Sequence, residues 1–177
     1  ALRLGQEGVN VAINYVGKID GACETKSAIE RGLDTCIASM QSSGTKPIVV
    51  EADVSDEDQV SRMFDEVMSS YGSLDILINN AGIQIAAESD QLSVEDFDRV
   101  IGVNLRGSFL CAREAIGQML DGGRRGSIVN VSSVHQIIPK PRFLGYSVSK
   151  GGMQNLTRTL ALEYAARGIR VNAISSG

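Results

Sequence analysis

Two side chains near the end of the chain have types and a spacing that suit proton transfer. Tyr146 and Lys150 stand four residues apart and are followed by two glycines and a run of helix-compatible residues. On an α-helix this spacing places both side chains on one face, one turn apart. An ammonium beside a phenol favours the phenolate, so the tyrosine can give or take a proton near neutral pH. Alone, however, such a pair is more typical of an ordinary exposed helix face.

Further polar groups follow two predicted strands. Ser133 lies thirteen residues before Tyr146, at the end of an apolar run that begins at Ser127. Residues 79–82 read Asn-Asn-Ala-Gly and follow the apolar run 74–78. The Ser133 hydroxyl could hydrogen-bond the oxygen on which Tyr146 acts. An ordinary strand-to-loop turn would explain the glycine at residue 82, but not the whole Asn-Asn-Ala-Gly sequence.

In this order, the strand with Asn-Asn-Ala-Gly, then Asn104, Ser133 and Tyr-x-x-x-Lys resemble the short-chain dehydrogenase/reductase family. Within it, SSVHQIIP, YSVSKGG and LALEYAARGIRVN are most similar to the glucose 1-dehydrogenase branch. The resemblance implies a cytoplasmic, homotetrameric oxidoreductase that uses NADP or NAD on a sugar or another alcohol or ketone. The alternatives are a 3-oxoacyl carrier-protein reductase and a non-catalytic dinucleotide-binding relative.

The resemblance also implies a role for each of four catalytic residues. Tyr146 is the acid/base, and Lys150 supports the phenolate and holds the nicotinamide ribose. Ser133 orients the substrate oxygen. Its neighbour Ser132 is the alternative, but the thirteen-residue gap to the tyrosine matches the family for Ser133. Asn104 forms a helix irregularity whose carbonyl holds a water for proton relay.

A second group of residues is implied to bind the cofactor. Asn80, Ala81 and Gly82 allow close backbone approach to its adenosine half, because glycine adds no side-chain bulk. Asp53 and Val54 meet the adenine, although Asp53 reads equally well as a helix-entry residue. Tyr146 and Lys150 complete the set, in addition to their implied catalytic roles.

Cofactor preference depends on the end of the strand that contains Ile13. An acidic residue at such a strand end binds the ribose hydroxyls of NAD and repels the 2′-phosphate of NADP. Residues 14–18 read Asn-Tyr-Val-Gly-Lys and contain no carboxylate, while Lys18 supplies a cation. This reading predicts that NADP is accepted, beside NAD.

The remaining candidates for chemistry are interpreted as structural. His135 is the only histidine and lacks partners at ligand spacing, so we expect no metal and a pocket-wall role. The three cysteines, Cys23, Cys36 and Cys111, are interpreted as reduced thiols.

Composition is that of one ordinary globular domain spanning residues 1–177. The chain is 43% hydrophobic and 21% charged, and 177 residues are enough for one sizeable core. A net charge of −4 without a basic run argues against nucleic acid as a partner. No apolar run approaches the ~20 residues of a membrane span.

Strand and helix patterns alternate along the chain. Strands are predicted at 9–15, 47–51, 74–78, 127–131 and 169–174, and helices at 1–6, 55–71, 94–120 and 146–167, with another in the second half of 17–44. Ser55 and Ser93 are predicted to cap two of the helices. This alternation predicts an α/β fold of the Rossmann type, a doubly wound parallel sheet with helices on both faces.

The chain begins within a helical pattern, and we expect it to be a fragment. The glycine-rich phosphate turn and its strand, the substrate lid and the last strand are expected to lie outside it. Residues 17–44 are longer than the family's usual connection and are predicted to be an insertion. Made alone, the chain is expected neither to bind nicotinamide cofactor well nor to turn over.

Overall fold

The computed structural model of the chain describes residues 1–17 and 46–176. Predictions concerning Lys18, Cys23, Cys36 and the helix within 17–44 lie outside these residues. The described strands are β1 Ala12–Tyr15, β2 Ile48–Glu51, β3 Ile76–Asn79, β4 Gly126–Ser133 and β5 Ile169–Ser176. The described helices are α1 Leu2–Gln6, α2 Glu57–Tyr71, α3 Val94–Ile101, α4 Gly107–Asp121 and α5 Leu144–Tyr164. A π-helical segment, Gly102–Arg106, joins α3 to α4, and short 3₁₀ turns cover Val134–Gln136 and Ala165–Arg167.

Every described strand pair is parallel. β1 pairs with β2, and β3, β4 and β5 form a three-stranded sheet in that order. The crossovers from β3 to β4 and from β4 to β5 both contain helices, as expected of parallel pairs. The predicted fold class, a Rossmann-type α/β fold, is therefore confirmed.

A cleft of about 770 Å³ separates the two sheets. β1 and β3 line it, and among the described residues neither strand has a partner on the side that faces the cleft. Asn79, Asn80 and Ala81 lie along the same cleft. Unpaired strand edges invite association with other chains. The cleft is thus the physical basis for expecting the chain made alone to aggregate.

One hydrophobic cluster joins elements from both sheets. Its members include Val50 on β2, Phe64 on α2, Met119 on α4, Ile128 on β4 and Ile169 on β5. Each of these side chains is no more than 5% exposed. Because burial of such a side chain contributes roughly 1.5–3 kcal/mol, this cluster fixes α2 and α4 against the strands that carry the site.

Several predicted boundaries differ from the structure by a few residues, and two of the differences have a clear physical reason. The predicted cap Ser55 is wrong: Asp56 caps α2, and its side chain accepts from the Gln59 N–H. The carboxylate is the better acceptor at a helix N-terminus. β1 starts at Ala12 rather than at residue 9, because the turn after α1 continues to Val9, whose N–H bonds the Leu4 carbonyl. The prediction of Ser93 as the cap of α3 is confirmed, since its hydroxyl oxygen accepts from the Asp96 N–H at 3.1 Å.

Candidate active site

The predicted catalytic side chains meet at the carboxyl edge of the three-stranded sheet. β4 ends at Ser133, and the chain then turns through a 3₁₀ segment and a loop into α5. Tyr146 lies in the first turn of α5 and Lys150 one turn further, as their spacing predicted. The Lys150 Nζ atom is 5.6 Å from the centre of the Tyr146 ring. The ammonium and the phenol are therefore neighbours.

Lys150 is buried, with only 4% of its surface exposed. Its Nζ donates to the Val131 carbonyl at 2.7 Å and lies 3.9 Å from the Met153 sulfur. Removal from water penalises the charged form, and this burial lowers the pKa of the Lys150 ammonium from its ordinary value of 10.5. A buried cation held against strand β4 is costly to the fold, which marks it as a candidate functional group.

We expect Lys150→Met to be at least as stable as the parent protein at neutral pH. The folded pKa lies below the unfolded pKa, so the cost of burying the charge is present at neutral pH. That cost disappears as pH rises through the folded pKa towards 10.5. Urea unfolding of both proteins should show the parent gaining stability relative to Lys150→Met over this alkaline window. A difference in unfolding free energy that stays constant with pH would contradict this account.

Ser133 and His135 lie in the part of the site that follows strand β4. Ser133 is 6% exposed, and its hydroxyl oxygen accepts from the His135 backbone N–H at 3.2 Å. The His135 ring stands edge-on to the Tyr146 ring, with centres 6.1 Å apart and an interplanar angle of 78°. The His135 Nδ1 is 2.9 Å from the Ile138 carbonyl. A carbonyl only accepts, so Nδ1 carries a proton, and the tautomer with its single proton on Nδ1 has Nε2 as an acceptor.

Ser132 has a different environment from Ser133. Its hydroxyl donates to the Gln136 Oε1 at 2.8 Å, and the Gln136 Nε2 donates to the Ser175 hydroxyl at 2.7 Å. Gln136 thereby ties the turn after β4 to the ends of β4 and β5. The sequence did not predict this contact of Gln136, because Ser175 is thirty-nine residues away and no spacing pattern pairs the two. The contacts support the assignment of Ser132 to the strand end.

Asn104 lies in the π-helical segment and is fully buried. The helix irregularity predicted there is present. Its side-chain amide accepts from the Ile83 N–H at 2.8 Å and donates to the Ile83 carbonyl at 2.9 Å and the Ser149 hydroxyl at 3.0 Å. Its backbone carbonyl accepts from the Ser108 hydroxyl at 2.8 Å. Asn104 therefore fixes the loop after β3 against α5, next to Tyr146 and Lys150.

The loop after β3 divides into a buried and an exposed part. Asn79 is buried and donates to the Asn130 Oδ1 at 2.9 Å, linking β3 to β4. Asn80, Ala81 and Gly82 are exposed. A Cβ atom on Gly82 would lie 3.5 Å from the Asn104 Oδ1 and 3.9 Å from the Lys150 Nζ. The glycine leaves open the space directly beside the lysine ammonium.

Asp53 and Val54 lie between β2 and α2. The Asp53 carboxylate accepts from the Ser55 N–H at 2.9 Å and from the Ser55 hydroxyl at 2.7 Å, so its observed contacts are those of a helix-entry residue. Val54 is 7% exposed, and a Cβ on Gly107 would approach it to 2.8 Å. Val54 thus packs the start of α4 against this loop.

Other reactive groups are not assembled into a site in the part of the chain that the structure describes. Burial raises the pKa of the Cys111 thiol to about 12, so this cysteine is no nucleophile near neutral pH. Residues 1–17 and 46–176 contain no group of three His, Cys, Asp or Glu side chains placed to hold a metal ion. Within the same ranges, no helix has the length and apolar character needed to cross a membrane.

The known proteins that are similar to this chain include several dehydrogenases. The sequence is 49% identical to a 3beta-hydroxysteroid dehydrogenase from Eggerthella lenta and 47% identical to a glucose 1-dehydrogenase from Gluconobacter oxydans. All of this chain matches, over 64% and 62% of those relatives' lengths. In three dimensions, 99% of the chain superposes on 63% of an NAD⁺-bound xylitol dehydrogenase, with a TM-score of 0.86 and 33% identity.

A family model also matches the chain. The model of the short chain dehydrogenase family covers residues 3–177, nearly the whole chain. The chain spans somewhat less than two thirds of the length of the curated relatives named above. Within this span it carries the ordered Asn-Asn-Ala-Gly, asparagine, serine and Tyr-x-x-x-Lys elements on a parallel α/β fold. The chain belongs to the short-chain dehydrogenase family.

Proposed function

We propose that the complete protein is an NAD(P)-dependent oxidoreductase that transfers hydride between a nicotinamide cofactor and a CH–OH or C=O carbon. The observation that carries this proposal is the buried Lys150 ammonium, 5.6 Å from the Tyr146 ring centre. Ser133 ends the strand beside them. When bound, the nicotinamide accepts or supplies the hydride. We propose residues 1–177 as part of one dinucleotide-binding domain, in a cytoplasmic protein.

The chain's own residues handle the proton. Tyr146 takes the hydroxyl proton of an alcohol as it is oxidised and returns one in the reverse direction. Lys150 stabilises the phenolate, and its ammonium can also hold ribose hydroxyls. Ser133 donates a hydrogen bond to the substrate oxygen and stabilises charge that develops there. Asn104 positions the loop opposite the lysine, and its proposed part in a water-mediated relay stays a prediction.

The cofactor-binding residues fit this assignment. Gly82 leaves space beside the Lys150 Nζ that a side chain would fill, and a ribose can use that space. Asn80 and Ala81 present exposed backbone along the cleft between the sheets. Asp53 and Val54 remain proposed adenine neighbours, through the backbone at the end of β2.

We propose an aldose, with glucose first, as substrate, oxidised at its anomeric carbon to the lactone. His135 supports this choice because its Nε2 is an acceptor beside Tyr146 that a second sugar hydroxyl can use. Two relatives, from Bacillus subtilis and Gluconobacter oxydans, are named glucose 1-dehydrogenases. These relatives are 42% and 47% identical to the chain, which supports placing it in the glucose 1-dehydrogenase branch of the family.

A hydrophobic alcohol or ketone is the second candidate. Ile137 and Ile138 follow the His135 turn and are 69% and 65% exposed, an apolar surface beside the site. Phe143 lies nearby, under the Lys140 ammonium at 4.5 Å. The 49% identical relative named a 3beta-hydroxysteroid dehydrogenase acts on a molecule of this apolar kind.

The two substrate classes are separated by one assay on the complete protein. Nicotinamide reduction is followed with an aldose panel and a hydroxysteroid, and oxidation of reduced cofactor with acetoacetyl thioesters. We expect the aldoses to give the highest kcat/KM. Activity confined to the steroid or the thioesters would overturn the sugar assignment and leave the catalytic assignment standing.

We also propose that the complete protein is a homotetramer. Phe109 on α4 and Val148 and Leu162 on α5 are large apolar side chains with exposed fractions of 43%, 45% and 84%. Apolar helix faces of this kind suit packing across two-fold axes. Light scattering should report four times the subunit mass, and a monomer would count against the proposal.

A further inference from the structure

A carboxylate lies beside the end of β1, although β1 itself contributes none. In the parallel register of the two-stranded sheet, Tyr15 is paired with Glu51, the last residue of β2. The Gly17 backbone N–H donates to the Glu51 Oε1 at 3.2 Å, and the Tyr15 hydroxyl donates to the Oε2 at 3.4 Å. Glu51 therefore reaches across from the neighbouring strand to the place where β1 ends.

Gly17 makes this approach possible. A Cβ atom at this position would overlap the Glu51 carboxylate, with its carboxyl carbon only 2.7 Å away. Any other residue would require the end of the Glu51 side chain to move away from Gly17. The glycine and the two donors thus hold the charged group in a defined place, while Glu51 itself is exposed to solvent.

Within residues 1–17 and 46–176, only part of the hydrogen-bonding capacity of the Glu51 carboxylate is used. Two oxygens offer about four lone-pair sites, and the protein donors described above occupy two of them. The others can accept from the two hydroxyls of a ribose. In dinucleotide-binding folds, an acidic group at the end of this strand binds the ribose of NAD and opposes the 2′-phosphate of NADP.

We propose that Glu51 recognises the adenosine ribose of the cofactor and makes the complete protein prefer NAD to NADP. This inference rests on the proposed function, since it assigns a specificity residue to the same cofactor site. The expectation that NADP is accepted rests on residues 14–18 and stays a prediction. Glu51 lies outside that stretch, on a strand thirty-six residues further along the chain.

Affinity for each cofactor, rather than turnover, is the test. NADH and NADPH are titrated into the complete protein, and their Kd values are measured from the fluorescence of the bound dihydronicotinamide. We expect the parent to bind NADH at least tenfold more tightly than NADPH. Glu51→Gln should bind NADH several-fold more weakly and NADPH more tightly, so that the preference falls about tenfold. Because Glu51 is exposed, added salt should reduce the parent's preference and leave that of the variant nearly unchanged.

Two further variants make the measurement specific. Glu51→Asp keeps the charge on a shorter side chain and should give an intermediate preference. Glu88→Gln removes an exposed carboxylate that is paired with Arg142 in another loop, and its NADH-to-NADPH ratio should equal that of the parent. Thermal unfolding verifies that each variant is folded.

The outcomes separate this inference from the proposed function. A parent that binds neither dinucleotide would overturn the proposed function. A parent that prefers NADPH, or a folded Glu51→Gln protein with the parent's preference, would overturn the role of Glu51 and leave the oxidoreductase proposal intact.

Discussion

Tyr146→Phe in the complete protein should remove turnover and leave cofactor binding within about twofold of the parent. The substitution deletes only the phenolic oxygen, the proposed proton acceptor. General acid–base catalysis contributes about 10²–10⁴-fold to such reactions, so kcat should fall by that factor. The ring remains to contact His135 and to cover the Lys150 ammonium. Steady-state kinetics and a cofactor titration on the same preparation measure both effects.

A matched control is available at the other end of the same helix. Tyr164 closes α5 and packs against the hydrophobic core, away from the site. Tyr164→Phe makes the same atomic change and should keep the parent's kcat. Turnover by Tyr146→Phe within tenfold of the parent would show that another group moves the proton.

Asn104→Leu should destabilise the protein by about 2 kcal/mol or more. Leucine keeps much of the side-chain bulk but leaves the Ile83 N–H and the Ile83 carbonyl without their partner. The Ser149 hydroxyl loses one hydrogen bond and keeps the one that it donates to the Tyr146 carbonyl. Each buried polar group left unpaired costs about 1–3 kcal/mol. The loop that carries Gly82 should then detach from α5, and cofactor affinity should fall together with stability.

Urea unfolding gives the stability change and a cofactor titration gives the affinity. Asn155→Leu on α5 is the control, because Asn155 is exposed and should tolerate leucine with little change. An unfolding free energy for Asn104→Leu within 1 kcal/mol of the parent's would contradict the positioning role drawn from these contacts.

The placement of the proposed catalytic residues could be predicted because the sequence signals for it are local. The four-residue spacing of Tyr146 and Lys150 fixes their common face on any α-helix. A run ending in Ser133 predicts a strand whose carboxyl end carries that serine. The buried contacts of Asn104 also agree with the expectation of an irregular helix, since an asparagine among apolar neighbours in a helix requires partners.

Contacts between distant segments could not be predicted in the same way. Glu51 belongs to β2, and only the register of two strands brings it to the end of β1. Gln136 reaches Ser175 because β4 and β5 are neighbours in the sheet. The cap of α2 was misplaced by one residue, since Ser55 and Asp56 both suit an N-cap by type. The Ser55 hydroxyl donates to the Asp53 carboxylate, and this leaves Asp56 as the cap.

The most direct test of the account is to follow a labelled hydrogen. The complete protein is given oxidised cofactor and glucose carrying deuterium on the anomeric carbon, and the reduced cofactor is analysed by mass spectrometry after a single turnover. The account predicts that the deuterium is found in the dihydronicotinamide ring of the parent's product, and that Tyr146→Phe binds cofactor without producing it. Oxidised sugar formed without label in the cofactor would contradict hydride transfer at this site.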